Sequence, residues 1–213
     1  MWKENELDLL ALCPSMYMNE TLNAILHTLL FTRAPGPIKP STSNVIKPST
    51  SLKSVCPELS SLKYAHCGKV PSVNVAVQKA IENVITSQRR SFQSGMLLVS
   101  FFERKVRPSA AANASSDKSW SIGRTMMLLS GTGPLPEEQK IYWEQWVLPL
   151  TFVTEEGVDR YSQVHQTIQH GIKQVVTMVQ DLENIPSSMY EFEIHYVRNM
   201  KEKDALYRSM LPR

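Results

Sequence analysis

The chain has 213 residues, 42% of them hydrophobic, and carries 23 basic against 20 acidic side chains. The hydrophobic content excludes general disorder, and the near balance of charge argues against a nucleic-acid-binding protein. No apolar run approaches the roughly 20 residues of a membrane-spanning helix. Three cysteines indicate a reducing compartment, and the charged N-terminus lacks the apolar core of a signal peptide. We therefore expect a cytoplasmic protein, with the nucleus as the alternative.

Two segments have compositions that do not favour packing, so we interpret residues 1–213 as one domain with two interruptions. Ala34–Ser54 is a low-complexity loop rich in Pro, Ser and Thr, which remove or compete for backbone hydrogen bonds. Arg107–Lys140 is a long, flexible insert rich in Ser, Gly and Pro. An insert of this length inside a domain is usually functional or disordered.

The first half of the chain contains two amphipathic helical patterns. Leucine and isoleucine recur at helical spacing from Leu22 to Leu30, with Asn19 as a candidate N-cap and Pro35 beyond the end. A second helix is predicted over Val73–Arg89, with Ser72 as its N-cap. The short apolar run Leu7–Leu12 fits either a strand or a helical turn.

The second half alternates strands with the longest helical pattern. Strands are predicted over Met96–Val106 and over Ile141–Val153, on either side of the insert. A helix over Glu155–Asn184, with Thr154 as its N-cap, keeps apolar residues at 3–4 spacing for about seven turns. A strand with one wet face follows at Phe192–Val197. Met200–Arg213 is charged and resembles a frayed helix.

The insert holds two large apolar residues, Trp120 and Ile122, among small polar ones. Leaving such side chains in water forfeits about 1.5–3 kcal/mol of burial for each. Two explanations remain open. Either these residues fold back onto the core, or they wait as exposed anchors for a partner.

Catalytic and metal-binding motifs are missing from the sequence. There is no nucleophile elbow, phosphate-binding glycine loop, or His or Cys pair with zinc-ligand spacing. Glu191, Glu193 and His195 alternate in the last strand, a pattern that fits an exposed strand face better than a catalytic pair of His195 with Glu193. The sequence thus predicts a protein that is not an enzyme and needs no cofactor and no metal.

Four short segments together resemble the autophagy-related protein 101 family. They lie in the first helix, at the end of the strand before the insert, at the start of the strand after it, and after the long helix: Leu26-His27-Thr28-Leu29-Leu30-Phe31-Thr32-Arg33, Ser100-Phe101-Phe102-Glu103-Arg104-Lys105, Trp143-Glu144-Gln145-Trp146 and Ile185-Pro186. The similarity covers residues 6–33 and 62–197 and marks a divergent, fungal-like member.

This resemblance implies an α+β HORMA fold, in which three main helices pack on an antiparallel sheet, and it implies no catalysis. It also implies a heterodimer with the HORMA domain of autophagy-related protein 13, within the autophagy-initiating kinase complex and its scaffold. Such a subunit stabilises its partner and helps recruit downstream factors to the preautophagosomal structure. The alternative is a HORMA-type adaptor that clamps a peptide in a checkpoint or chromatin pathway.

The resemblance also assigns roles to individual residues. Family members recruit factors through a finger with a Trp-Pro-Phe tip, and the matching segment here is Trp120-Ser121-Ile122, with Ser and Ile replacing Pro and Phe. His27, Trp143, Glu144 and Trp146 belong to the structural motif. Independently of the resemblance, the long helix Glu155–Asn184 is able to serve as an interface, with His165, Gln169 and Lys173 as rim contacts on its flank.

Overall fold

The computed structural model describes residues 2–8, 10–12, 16–33, 64, 70–90, 94–107, 137–153, 160–180 and 190–211. These residues form five strands and four helices, named in chain order: β1 (Lys3–Glu6), β2 (Leu10–Leu12), α1 (Met16–Arg33), α2 (Pro71–Arg89), β3 (Ser94–Arg107), β4 (Glu137–Phe152), α3 (Arg160–Gln180), β5 (Glu191–Val197) and α4 (Met200–Met210). The predicted loop 34–54 and most of the insert 107–140 lie outside the described residues.

The strands form one sheet in the order β1-β4-β3-β5, and β2 also pairs with β4. The pairs β3–β4 and β3–β5 are antiparallel, whereas β1 and β2 run parallel to β4. The α+β, HORMA-like fold class is therefore confirmed, with the correction that the sheet is mixed and not wholly antiparallel. Side-chain alternation carries no information on strand direction, and no tight hairpin links β1 to β4 to fix it.

Helices α1, α2 and α3 pack on one face of the sheet, here called the inner face. This arrangement confirms the three helices that the sequence predicted. They bury their apolar stripes against alternate residues of β3 and β4. The core includes Leu22, Ile25, Leu26, Leu29, Leu30, Val73, Val77, Ile81, Val175, Leu97, Val99, Phe101, Trp146 and Leu148.

Helix α4 covers part of the opposite, outer face. Its Leu206 and Tyr207 pack on a small cluster that contains Leu98, Val147 and Val197. The Asn199 side chain caps the helix by accepting the Glu202 backbone N–H at 3.0 Å. Lys203 Nζ also donates to a carboxylate oxygen of Glu4 in β1 at 2.8 Å. Because it is capped and anchored, α4 is a regular helix where the sequence suggested a frayed one.

Two predicted N-caps are wrong. Helix α1 begins at Met16, so Asn19 lies inside its first turn, where its side-chain oxygen accepts from Asn23 at 2.9 Å. Helix α2 begins at Pro71 after an extended Val70, without a side-chain cap. Proline is favoured at this first position because its missing N–H would have no helical partner there. The predicted cap Thr154 lies outside the described residues.

A β-bulge in β4 explains how two tryptophans three residues apart share one face. Phe101 pairs with Glu144 and Phe102 pairs with Tyr142, so Trp143 is the extra residue of the bulge. In a regular strand, residues three apart point to opposite faces. Here both Trp143 and Trp146 pack against the inner core, Trp146 being completely buried.

Helices α1 and α3 approach closely at Gly171. A Cβ added there would lie 2.7 Å from Ile25 Cδ1 and 3.1 Å from Ile25 Cγ1. The site is buried, so a larger side chain has no solvent to move into.

We expect Gly171→Val to destabilise the protein by about 1–3 kcal/mol, because the added atoms overlap the α1 side chain. Chemical denaturation followed by circular dichroism measures the change. Val176→Ala, on the exposed side of the same helix, is the control and should shift the free energy of unfolding by less than about 0.5 kcal/mol. Equal stability of Gly171→Val and the parent chain would contradict the close packing.

Candidate protein-interaction surface

The centre of the inner face is a buried polar cluster around Glu144. Its Oε1 accepts from Arg33 Nε at 2.9 Å and Nη2 at 2.8 Å, from Asn5 Nδ2 at 3.3 Å and from Trp146 Nε1. The side chains of Arg33 and Glu144 are 0% and 2% exposed. One carboxylate oxygen therefore connects the end of α1, the parallel strand β1 and the bulged part of β4.

Aromatic rings extend this cluster towards β5. The Tyr190 hydroxyl donates to the backbone carbonyl of Arg33, and its ring meets Trp143 edge-on at 5.1 Å between centroids. Phe101 contacts both rings, at 5.9 Å from Trp143 and 6.2 Å from Tyr190. His27, 1% exposed, lies almost two turns before Arg33 in α1. The structure thus places His27, Glu144 and Trp146 in the interior, and Trp143 half-buried beside them.

On the outer face, charged groups surround Phe102, which is only 2% exposed. Lys140 Nζ lies 4.5 Å from the Phe102 ring centroid, and Arg104 Cζ lies 6.0 Å from it. Lys140 Nζ and the Tyr142 hydroxyl each donate to Glu193 at 2.5 Å. These contacts form a cation–π arrangement in which the lysine and arginine cover an aromatic ring that would otherwise be wet.

Glu193 is the main acceptor in this outer cluster. Burial alone raises the pKa of its carboxyl, but donation from His195, Lys140 and Tyr142 outweighs burial and lowers the pKa to about 2. His195 Nε2 lies 3.4 Å from Glu193 Oε1. Since the carboxylate is held by cations and a phenol on the sheet surface, Glu193 and His195 belong to an ion-pair network.

The solvent side of α3 differs in composition from the other surface helices. Among the α3 side chains that the structure describes, those of residues 163–180, the exposed ones are mostly uncharged: Gln163, Gln166, Gln169, His170, Lys173, Val176, Thr177 and Gln180. Lys173 is the one permanent charge in this set. By contrast, α4 exposes Lys201, Asp204 and Arg208, and α2 exposes Lys79, Glu82 and Arg89. A charge-poor helix face is typical of the central part of a protein interface.

The three flank residues proposed from the sequence lie along this α3 face. His165 is half-buried, whereas Gln169 and Lys173 are exposed, and the spacing of four places them in one row. Val176, 41% exposed, continues the row towards the end of the helix. On a neighbouring side, His170 Nε2 lies 3.0 Å from Asp8 Oδ2 and Gln174 Oε1 accepts the Asp8 N–H, so those two residues connect α3 to the segment after β1.

Trp120 and Ile122 lie outside the described residues, as do Cys13, Cys56 and Cys67. Among the residues that are described, no cluster of three or more His, Cys, Asp or Glu side chains could hold a metal ion. No described helix combines the length and apolar character needed to cross a membrane.

Sequence reasoning missed the cations that complete both clusters. Arg33 was named only as part of a sequence motif. Its ion pair with Glu144 could not be predicted, because the two residues lie 111 positions apart in the sequence. One feature of the sequence could have indicated Arg104 and Lys140: charged residues alternate along the segments on either side of the insert.

Comparison with known proteins gives the family. The model of the family described as autophagy-related protein 101 matches residues 13–191, more than four-fifths of the chain. The chain belongs to the autophagy-related protein 101 family. Autophagy-related protein 101 of Arabidopsis thaliana is 26% identical over 137 residues, which are 64% of this chain and 47% of that relative. The match thus spans about half of the relative's length. Family membership supports a role in autophagy.

We expect Glu144→Gln to destabilise the protein by about 3–5 kcal/mol, because Arg33 would keep a buried charge without a counter-charge. Urea denaturation measures the free energy of unfolding. Glu138→Gln removes the same charge from an exposed pair with Arg104, where the Glu138 side chain is 59% exposed. That control should change stability by less than about 1 kcal/mol. Similar losses in the two variants would refute a special role for the buried pair.

A second prediction concerns the thermal stability of the protein at acid pH. The folded-state pKa of Glu193, about 2, lies below its ordinary value of 4.5, so its contribution to stability is complete above pH 4.5 and is lost as pH falls towards 2. We expect the melting temperature of Glu193→Gln to fall less steeply than that of the parent between these pH values. Tyr142→Phe, which removes one donor, should flatten the slope in part. Parallel curves for parent and Glu193→Gln would contradict the assignment.

Proposed function

We propose that this chain is a non-catalytic adaptor subunit of the autophagy-initiation kinase complex. It pairs with the HORMA domain of autophagy-related protein 13, stabilises that domain and helps recruit downstream factors to the site of autophagosome assembly. Family membership and the HORMA-like fold support this proposal. The observation that carries it is the charge-poor, glutamine-rich exposed face of α3.

The α3 face suits the pairing step in size as well as in composition. A helix of 21 residues is about 30 Å long, at 1.5 Å per residue. A standard interface buries about 800 Å² on each partner and excludes charge from its centre. Gln169 and Val176 occupy the middle and the end of this face, with His165 and Lys173 beside them. We place the partner HORMA domain against this row.

We assign the recruiting step to the insert between β3 and β4. Trp120 and Ile122 are its candidate anchors, since tryptophan in the centre of an interface often carries a large share of binding energy. In this proposal the insert is a finger presented by the β3–β4 hairpin. The kinase and the scaffold are indirect partners, reached through autophagy-related protein 13, and the protein acts in the cytoplasm at the preautophagosomal structure.

Co-expression with the HORMA domain of autophagy-related protein 13 tests the pairing. We expect a complex of equal stoichiometry on size-exclusion chromatography, and Val176→Asp should weaken it by at least about tenfold by placing a charge in an apolar contact. Val75→Asp is the matched control, because Val75 lies on α2 and is 67% exposed. It should leave pairing unchanged. A chain that never associates, or equal effects of both substitutions, would overturn the pairing proposal.

Substitutions in the insert separate pairing from recruitment. Trp120→Ala should keep the complex and the melting temperature of the chain while reducing recruitment of downstream autophagy factors in cells. Ile122→Ala should act in the same direction. A marked fall in melting temperature in Trp120→Ala would show instead that the tryptophan packs in the core, and the finger assignment would then be wrong.

A further inference from the structure

The β3–β4 hairpin extends beyond the rest of the described sheet. Its outermost five pairs run from Glu103 with Ile141 to Arg107 with Glu137. The neighbouring strand β5 begins where Glu191 pairs with Phe102, and β1 begins where Lys3 pairs with Glu144. We call residues Glu103–Arg107 and Glu137–Ile141 the projecting ribbon. A two-stranded ribbon is marginally stable in water by itself, so its direction depends on contacts with the body of the domain.

The projecting ribbon carries an unfavourable pair of charges at its base. Arg104 and Lys140 lie directly opposite each other in the β3–β4 register, both on the outer face. Like charges at directly opposed positions repel each other and destabilise a strand pair. The arrangement is favourable only if acidic groups nearby neutralise both cations.

Acidic residues of β5 and β4 provide this neutralisation. Arg104 holds Glu191 through two parallel hydrogen bonds, Nε to Oε1 at 2.6 Å and Nη2 to Oε2 at 2.9 Å, and Nη1 reaches Glu138 at 3.1 Å. Lys140 extends over the Phe102 ring to Glu193 at 2.5 Å. Two-point Arg–carboxylate pairs fix orientation more strongly than single contacts. Both cations therefore connect the ribbon to β5, which belongs to the body of the domain.

We propose that Arg104 and Lys140 are positioning residues that fix the direction of the projecting ribbon relative to the body of the domain. They thereby set where the insert is presented to a recruited factor. This inference rests on the proposed recruiting role of the insert. It adds that recruitment depends on a β5 carboxylate pair outside the insert.

Lys105 offers a control within the same ribbon. Its side chain lies on the opposite face from Arg104, is 61% exposed and pairs with Glu103 of its own strand at 3.6 Å. Lys105→Gln removes one positive charge from the ribbon, as Arg104→Gln does, without touching the contacts to β5. A difference between these two variants therefore reports on position and not on net charge.

Pulsed electron paramagnetic resonance measures the direction of the ribbon in the full chain. Nitroxide labels are placed at Gln139 in the ribbon and at the exposed Val75 of α2, with the three native cysteines replaced by serine. We expect one narrow distance distribution for the parent and for Lys105→Gln. Arg104→Glu should broaden the distance distribution, because the new carboxylate at position 104 faces Glu191 and Glu138 and is repelled by them. Adding Glu191→Arg should restore it, since the pair then has opposite charges again.

The measured label-to-label distance distributions can contradict the positioning role. A narrow distribution in Arg104→Glu, or a broad one in Lys105→Gln as well, would overturn the positioning role. Failure of the charge-swapped pair to narrow the distribution would point to a general loss of stability. A parallel melting-temperature measurement checks this explanation, and equal loss in Arg104→Glu and the swapped pair would also count against the inference.

Recruitment in cells links the ribbon to function. Arg104→Gln should weaken recruitment by about fivefold while pairing with autophagy-related protein 13 persists, and Lys105→Gln should not. If Trp120→Ala reduces recruitment and Arg104→Gln does not, the positioning inference fails while the proposed function stands. If neither substitution affects recruitment, the proposed recruiting role of the insert is wrong, and the inference that rests on it is wrong as well.

Discussion

The fold depends on the buried ion pair between Arg33 and Glu144. Both side chains are almost fully excluded from solvent, and the same Glu144 oxygen also accepts from Asn5 and Trp146. Removing two charges from water is costly unless geometry and extra hydrogen bonds compensate. The cluster meets that condition because its donors come from three separate elements. The end of α1, the parallel strand β1 and strand β4 must therefore be in register before the charge is satisfied, which favours one arrangement of the three.

The two faces of strand β4 have different surroundings. The bulge at Trp143 turns two consecutive residues inwards, so the ring of Trp143 and the carboxylate of Glu144 both enter the helix-covered side. Beyond the bulge, Tyr142 and Lys140 point outwards to Phe102 and the β5 carboxylates. A bulge is a common means of redirecting side chains near functional parts of a sheet. Here it separates a closed, structural interior from a charged outer surface that continues into the projecting ribbon.

The local spacing of apolar residues predicted most helices and strands. It could not predict how distant strands pair or which distant residues contact each other. The helical stripe from Leu22 to Leu30 and the apolar strand over Met96–Val106 appear within a few residues of their predicted bounds. Strand β1 was missed because Lys3–Glu6 is polar throughout, and only pairing with β4 makes it a strand. The parallel direction of β1 and the bulge leave no local trace, so neither the mixed sheet nor the partner of Glu144 could be derived. The α3 face could be located from spacing, but its low charge becomes meaningful only once its exposed residues are known.

The two surfaces of the proposed function lie on different parts of the fold, and this placement bears on how they act together. Helix α3 packs on α1 over the inner face, whereas the projecting ribbon leaves the sheet at the end of β3 and is held from the outer face through β5. A partner seated on the charge-poor side of α3 does not need the Arg104 or Lys140 contacts. Conversely, the ion pairs of the ribbon are exposed and salt-sensitive, while the mostly uncharged contacts expected at α3 are much less so. Raising the ionic strength should therefore weaken recruitment before it weakens pairing, a separation that follows from the charge distribution alone.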